Sequence, residues 1–110
     1  MTCLLEIDLS AIRANYDYLS RLASKRIAGV VKADAYGLGA VKVVAELIKA
    51  GCKEFFVANA QEGMALRKEF AGIILYVLEG ALESTRNTLL EYRLRPVLNT
   101  LAQCDLCLLY

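Results

Sequence analysis

The sequence predicts an α/β fold, with about four βα units after a leading strand and helix. Three observations carry that reading. Short apolar runs rich in β-branched residues recur at 27–31, 54–58, 73–78 and 95–98, as expected of buried parallel strands. A stretch with helical apolar spacing follows each run. The runs begin about twenty to twenty-six residues apart, which suits βαβ units with right-handed crossovers.

The leading strand is expected at 3–8. Ser10 is a suitable N-cap for a helix running to about residue 23. Ile12, Tyr16, Leu19 and Leu22 give that helix one apolar face, and Asp17 and Arg21 are placed to pair four residues apart. The strand at 27–31 leads into a helix over 40–50, with Val41, Val44, Leu47 and Ile48 inward and Gly51 as its stop. After the strand at 54–58, Asn59 and Glu62 have the spacing of a capping box, in which Glu62 reaches back to the N-cap amide. That helix runs to about Phe70, with Gly63, Leu66 and Phe70 on one face. The third strand, 73–78, turns at Glu79 and Gly80 into a helix over 84–92 that buries Leu89 and Leu90. The fourth strand carries Pro96 near its start, where no ladder donor is required. Asn99 or Thr100 caps a last helix that runs to the terminus.

Composition narrows the function. The chain has 110 residues, enough for one domain, and 57% are hydrophobic, so disorder is excluded. The net charge is +1 with no basic stripe, which argues against a nucleic-acid partner. The apolar runs are too short to span a bilayer, and residues 1–6 lack the pattern of a signal peptide, so a cytoplasmic location is expected. Histidine is absent, which removes Ser-His-Asp and Cys-His catalysis and histidine metal sites. Cys104 and Cys107 have C-x-x-C spacing, but without a second pair they fit small buried thiols better than a metal or redox site. No metal is expected.

The chemistry concentrates in Val30-Val31-Lys32-Ala33-Asp34-Ala35-Tyr36-Gly37-Leu38-Gly39. Lys32 ends the first of these apolar runs, 27–31, and in α/β proteins the carboxyl ends of strands face the ligand region. Its amine can form a Schiff base with a carbonyl. Tyr36 can donate a phenolic hydrogen bond. Gly37 and Gly39 permit unusual backbone angles and lead to a helix N-terminus that could hold a phosphate. Arg13, Arg67 and Glu62 fit helix-face and capping roles and are assigned no chemistry.

This stretch resembles the lysine motif of the alanine racemases, a pyridoxal-phosphate-dependent family whose usual form is close to V-V-K-A-N-A-Y-G-H-G. Residues 6–15, 56–67 and 95–98 resemble the family's opening segment, its second βα unit and a later barrel strand. Asp34 and Leu38 depart from the family's asparagine and histidine. The resemblance implies the N-terminal half of a (β/α)8 TIM-type barrel, whereas periodicity alone leaves a small open sheet with helices on both faces equally possible. It implies interconversion of L-alanine and D-alanine, with Lys32 catalytic and bound to pyridoxal 5'-phosphate, and Tyr36 on the cofactor phosphate. It also implies a homodimer whose partner subunit supplies a tyrosine as the second base.

A full barrel needs roughly 250 residues, and the family adds a separate C-terminal β domain. Residues 1–110 are therefore expected to be a partial barrel domain, an incomplete fragment inactive in isolation. The apolar residues 106–110 fit that expectation. The alternatives are an inactive remnant and a carrier-type barrel that binds the same cofactor.

Overall fold

Alternating burial along the strands decides the architecture. The computed structural model describes residues 2–108. Its elements are α1 (Leu9–Leu22), β1 (Gly29–Val30), α2 (Lys32–Tyr36), α3 (Ala40–Lys49), β2 (Glu54–Val57), α4 (Ala60–Glu69), β3 (Ile74–Val77), a 3-10 turn (Glu83–Thr85), α5 (Arg86–Glu91), β4 (Arg95–Pro96) and α6 (Leu101–Cys107). The four strands form one parallel sheet in the order β1-β2-β3-β4.

Phe55, Val57, Leu75 and Val77 point to one face and are fully buried. They share a single core with Val43, Val44 and Leu47 of α3, Ala60 and Leu66 of α4, and Leu89 of α5. Glu54, Phe56, Ile74 and Tyr76 alternate with them and stay half-buried. Sequential strand order with right-handed crossovers places every helix on the same side, as in a barrel wall. An open sheet with helices on both faces would bury both sets. The structure therefore selects half a barrel over the open-sheet alternative.

The helix-free face carries its own order. Strand register puts Val30, Phe56, Tyr76 and Arg95 in one row across the sheet. Phe56 and Tyr76 stack with centroids 4.6 Å apart, and the Arg95 guanidinium lies 6.0 Å from the Tyr76 ring centroid. The Tyr76 hydroxyl donates to Glu54 Oε1 at 2.7 Å.

Several expectations are corrected at the N-terminus. Residues 3–8 form no strand. Among the described residues the sheet contains only β1 to β4, with no strand from this segment, and Leu4 is 82% exposed. Asp8, not Ser10, caps α1: its carboxylate accepts from Ala11 N at 3.1 Å and from Ser10 Oγ at 2.6 Å. Those bonds, the Ser10 hydroxyl first, hold the Asp8 carboxyl below its ordinary range. Only Leu9, Ile12 and Tyr16 of α1 pack on the core, while Leu19 and Leu22 are exposed. Asp17 and Arg21 form no ion pair, and Arg13 instead approaches Glu46 of α3 at 3.8 Å.

Later elements follow the expected order with shorter spans. Gly51 stops α3 with φ of 105°, but Val43 takes the buried place expected of Val41. Helix α5 is preceded by the 3-10 turn, and of its two leucines only Leu89 is buried. Val97 N donates to Val77 O at 2.9 Å, continuing the ladder past Pro96. Thr100, one of the two candidates, caps α6 by accepting from Gln103 N at 3.1 Å. The expected run of this helix to the terminus falls partly on residues 109–110, outside the described residues.

Arg67 closes the end of the sheet opposite the strands' carboxyl ends. Its Nε donates to Tyr92 O at 2.9 Å, its Nη1 to Ile73 O at 2.6 Å and Ala71 O at 3.1 Å, and its Nη2 to Arg93 O at 3.0 Å. One guanidinium thus ties the end of α4 to the chain entering β3 and β4. Burial, and then the Arg93 charge, lower its pKa from the ordinary guanidinium value. Arg67→Ala leaves these carbonyls without their charged donor and is expected to destabilise the fold by about 2–4 kcal/mol. Urea unfolding followed by far-UV circular dichroism checks this, and a midpoint equal to that of the parent chain contradicts it.

Candidate active site

Strand β1 ends at Val30, two residues before Lys32. Val31 is 2% exposed, and its N–H extends the ladder to Phe56 O at 2.9 Å. Lys32 follows, half-buried, and makes no ion pair or hydrogen bond with the described residues. The chain then turns left-handed. Ala33, Asp34, Ala35 and Tyr36 have φ of 52°, 55°, 56° and 57°, and Gly37 follows at 88°. So α2 is one left-handed turn, separate from α3, where a plain strand-to-glycine turn was expected.

Left-handed helical backbone costs L-residues roughly 1–2 kcal/mol each, so this run of four costs about 4–8 kcal/mol. Small side chains lessen the clash at Ala33 and Ala35, and aspartate is among the residues that tolerate this region best. Hydrogen bonds along the turn offset part of the strain. Ala35 N donates to Val31 O at 3.0 Å, Gly37 N to Ala33 O at 3.0 Å, and Gly39 N to Asp34 O at 2.9 Å. Ala35 is 4% exposed and anchors the turn in the core. Tyr36 is the bulky member, 64% exposed, and its hydroxyl has no partner among the described residues.

Two carboxylates fix the turn to its surroundings. Asp34 Oδ1 accepts from Ala40 N at 2.8 Å, at the start of α3. Asparagine offers the same acceptor, so the departure from the family pattern at this position preserves the contact. The N-terminus of α3, where the sequence leaves room for a phosphate, has its Ala40 N–H bound to the Asp34 carboxylate. Gly37 and Gly39 both have positive φ, 88° and 96°, which glycine adopts without the penalty other residues meet.

Glu62 provides the second tie. Its own amide donates to Asn59 Oδ1 at 2.9 Å, as the capping-box reading expects. Its carboxylate goes elsewhere. Oε1 accepts from Ala58 N at 2.7 Å, and Oε2 accepts from Ala33 N at 2.8 Å, 29 residues away in sequence. Sequence reasoning missed the second contact, because the capping-box spacing signals only the local half. Other side chains lace the later loops together at the same end of the sheet. Glu79 Oε1 accepts from Ala60 N at 3.3 Å, Asn99 Nδ2 donates to Leu78 O at 2.9 Å, and Gln103 Nε2 donates to Glu79 O at 3.0 Å.

The structure thus brings Lys32 and Tyr36 onto one five-residue turn at the carboxyl end of β1. A cavity of about 150 Å³ beside it is lined by Val31, Asp34, Ala40 and Glu62 among others, and neither Lys32 nor Tyr36 borders it. The cysteines lie apart from this site and are free. Cys52 is buried, and burial pushes its thiol pKa up. Among the described residues no group of three or more metal-ligating side chains is present, and no helix is long and apolar enough to cross a membrane.

The donor set fits an aldehyde cofactor bearing a phosphate in part. Among the described residues, Lys32 offers an amine without an ion pair and Tyr36 a hydroxyl donor without a partner.

Comparison with known proteins bears on family and fold. Residues 7–108 match the family described as alanine racemase, N-terminal domain. The chain is 44% identical over 106 residues to the alanine racemases of Rickettsia akari (strain Hartford) and Rickettsia prowazekii (strain Madrid E). Those alignments cover 94% of this chain but 30% and 26% of the two relatives, so the chain spans less than a third of their length. Among solved structures, the alanine racemase of Bartonella henselae with covalently bound pyridoxal phosphate superposes with a TM-score of 0.83 at 34% identity, covering 90% of this chain and 28% of that one. The biosynthetic alanine racemase of Pseudomonas aeruginosa gives a TM-score of 0.81 at 38% identity, covering 93% and 29%. On sequence and on fold, the chain belongs to the alanine racemase N-terminal domain family.

Proposed function

We propose that this chain supplies the lysine-bearing part of a pyridoxal-phosphate-dependent alanine racemase, as the N-terminal portion of its barrel domain. The observation that carries the reading is a half-buried lysine at the carboxyl end of β1, without an ion pair among the described residues, in a chain of this family. Lys32 Nζ holds the cofactor through its aldehyde carbon. Tyr36 donates its phenolic hydrogen bond to the phosphate. When bound, pyridoxal phosphate supplies an electron sink that makes the α-hydrogen of alanine acidic.

The protein's own part is proton transfer. Once the substrate's amine has taken its place on the cofactor's aldehyde carbon, the Lys32 amine is released and would take the α-proton of the substrate on one face, or return one there. One amine serves one face only, and inversion needs a second base on the other. We assign that base to a partner subunit, which makes a homodimer part of the reading, together with a cytoplasmic location. The described residues bring one amine and one phenol to the site, so this chain alone is expected to bind cofactor without racemising alanine.

Incubation with pyridoxal phosphate, borohydride reduction and peptide mapping test the proposal. The adduct is expected chiefly on Lys32, and Lys32→Ala is expected to remove it. An adduct spread evenly over the lysines, or retained in Lys32→Ala, rejects the assignment.

A further inference from the structure

We infer that Glu62 is a positioning residue for Lys32: its carboxylate bridges the loop after β1 to the loop after β2 and fixes the direction in which the lysine leaves the backbone. The inference rests on the reading of Lys32 given above and adds a residue to it.

The Ala33 amide shares a rigid plane with the Lys32 carbonyl. Holding the Ala33 N–H therefore fixes the backbone on the carboxyl side of Lys32. Glu62 Oε2 holds it at 2.8 Å, while Oε1 holds the Ala58 N–H at 2.7 Å. Ala58 directly follows β2, the strand that pairs with β1. The lysine turn is thus referenced to the neighbouring strand and not only to its own.

Glu62 is itself well held. It lies in the first turn of α4, and its amide is bound to Asn59 Oδ1 at 2.9 Å. The side chain is half-buried; its bond to Ala58 N is partly shielded from water, and its bond to Ala33 N lies at the surface. The tie also lies where strain begins, since Ala33 is the first residue of the left-handed run. Without it, the turn keeps only its internal bonds and the Asp34 contact to α3.

The two donors demand a carboxylate. Each oxygen accepts from a separate N–H, and both groups are donors only. Glutamine has one acceptor oxygen, so its amide nitrogen would face one of the two N–H groups. Glu62→Gln keeps the size of the side chain and breaks one half of the bridge.

The test uses the full chain and two readouts. The first is the ratio of borohydride-trapped pyridoxal phosphate on Lys32 to that on Lys49, an exposed lysine of α3 that reports unassisted labelling. The second is amide hydrogen exchange at Ala33, Ala58, Leu75 and Val77 by nuclear magnetic resonance. The expected result for Glu62→Gln is a fall of about tenfold in the Lys32 to Lys49 ratio, the size set by one lost charge-assisted hydrogen bond. Exchange should quicken at Ala33 or Ala58, with Leu75 and Val77 unchanged. An unchanged ratio overturns the positioning role. Faster exchange throughout the sheet also overturns it, because Glu62 then supports the fold at large. In the parent chain, an Ala33 amide that exchanges at the free-chain rate removes the bridge without any variant. Equal labelling of Lys32 and Lys49 in the parent chain instead overturns the cofactor assignment, even where both amides are protected.

Discussion

Positive φ at four successive L-residues is the constraint around which this end of the molecule is built. The turn from Ala33 to Tyr36 does not persist on local preference, because three of its four members are ordinary L-residues for which this region is strained. It persists because each end is held by something stiffer. Val31 anchors the start in the core and offers its carbonyl to Ala35, and Gly37 releases the turn at a position where positive φ carries no penalty. Glu62 and Asp34 then tie it to β2 and α3. Lys32 sits immediately before the strained run, so its backbone inherits that fixity. Strain stored beside a reactive side chain is a familiar mark of a functional site, and here it coincides with the one lysine the family resemblance singles out.

The sheet explains why the turn has a stable reference. Four parallel strands in sequential order put all the helices on one side, and the fully buried residues of β2 and β3 form the floor on which α3, α4 and α5 pack. The two ends of this wall are secured differently. At the strands' amino ends a single guanidinium, Arg67, gathers carbonyls from the two segments that enter β3 and β4. At the carboxyl ends a series of carboxylates and amides, Glu62, Glu79, Asn99 and Gln103, links each loop to the next. The helix-free face, with Phe56 stacked on Tyr76 and Arg95 beside it, has the character of the inner surface of a barrel.

The βα order, the strand positions and the location of Lys32 at a strand end were legible in the sequence, because each has a local signal: apolar period, glycine stops and cap residues. What was not legible depends on partners distant in sequence. Residues 3–8 have the pattern of a strand but nothing to pair with, and pattern alone cannot supply a neighbour. Ser10 looked like a cap, yet Asp8 lies two residues earlier and takes that place, with the serine bonded to it. Glu62 and Arg67 appeared to be ordinary helix residues. Their principal contacts reach 29 and 25 residues along the chain to backbone atoms, which carry no side-chain identity for a sequence to reveal. The left-handed turn is the sharpest case. Alanine is a strong helix former with no local preference for positive φ, so only the surrounding ties account for its conformation at 33 and 35.

The handedness of that turn can be measured in solution. Backbone φ at Ala33, Asp34, Ala35 and Tyr36, obtained from intraresidue amide-to-α-proton Overhauser effects in the isotopically labelled chain, is expected to be positive at all four positions. Negative φ across these residues, whether as a right-handed helix continuous with α3 or as averaged coil, would contradict the placement of Lys32 described above.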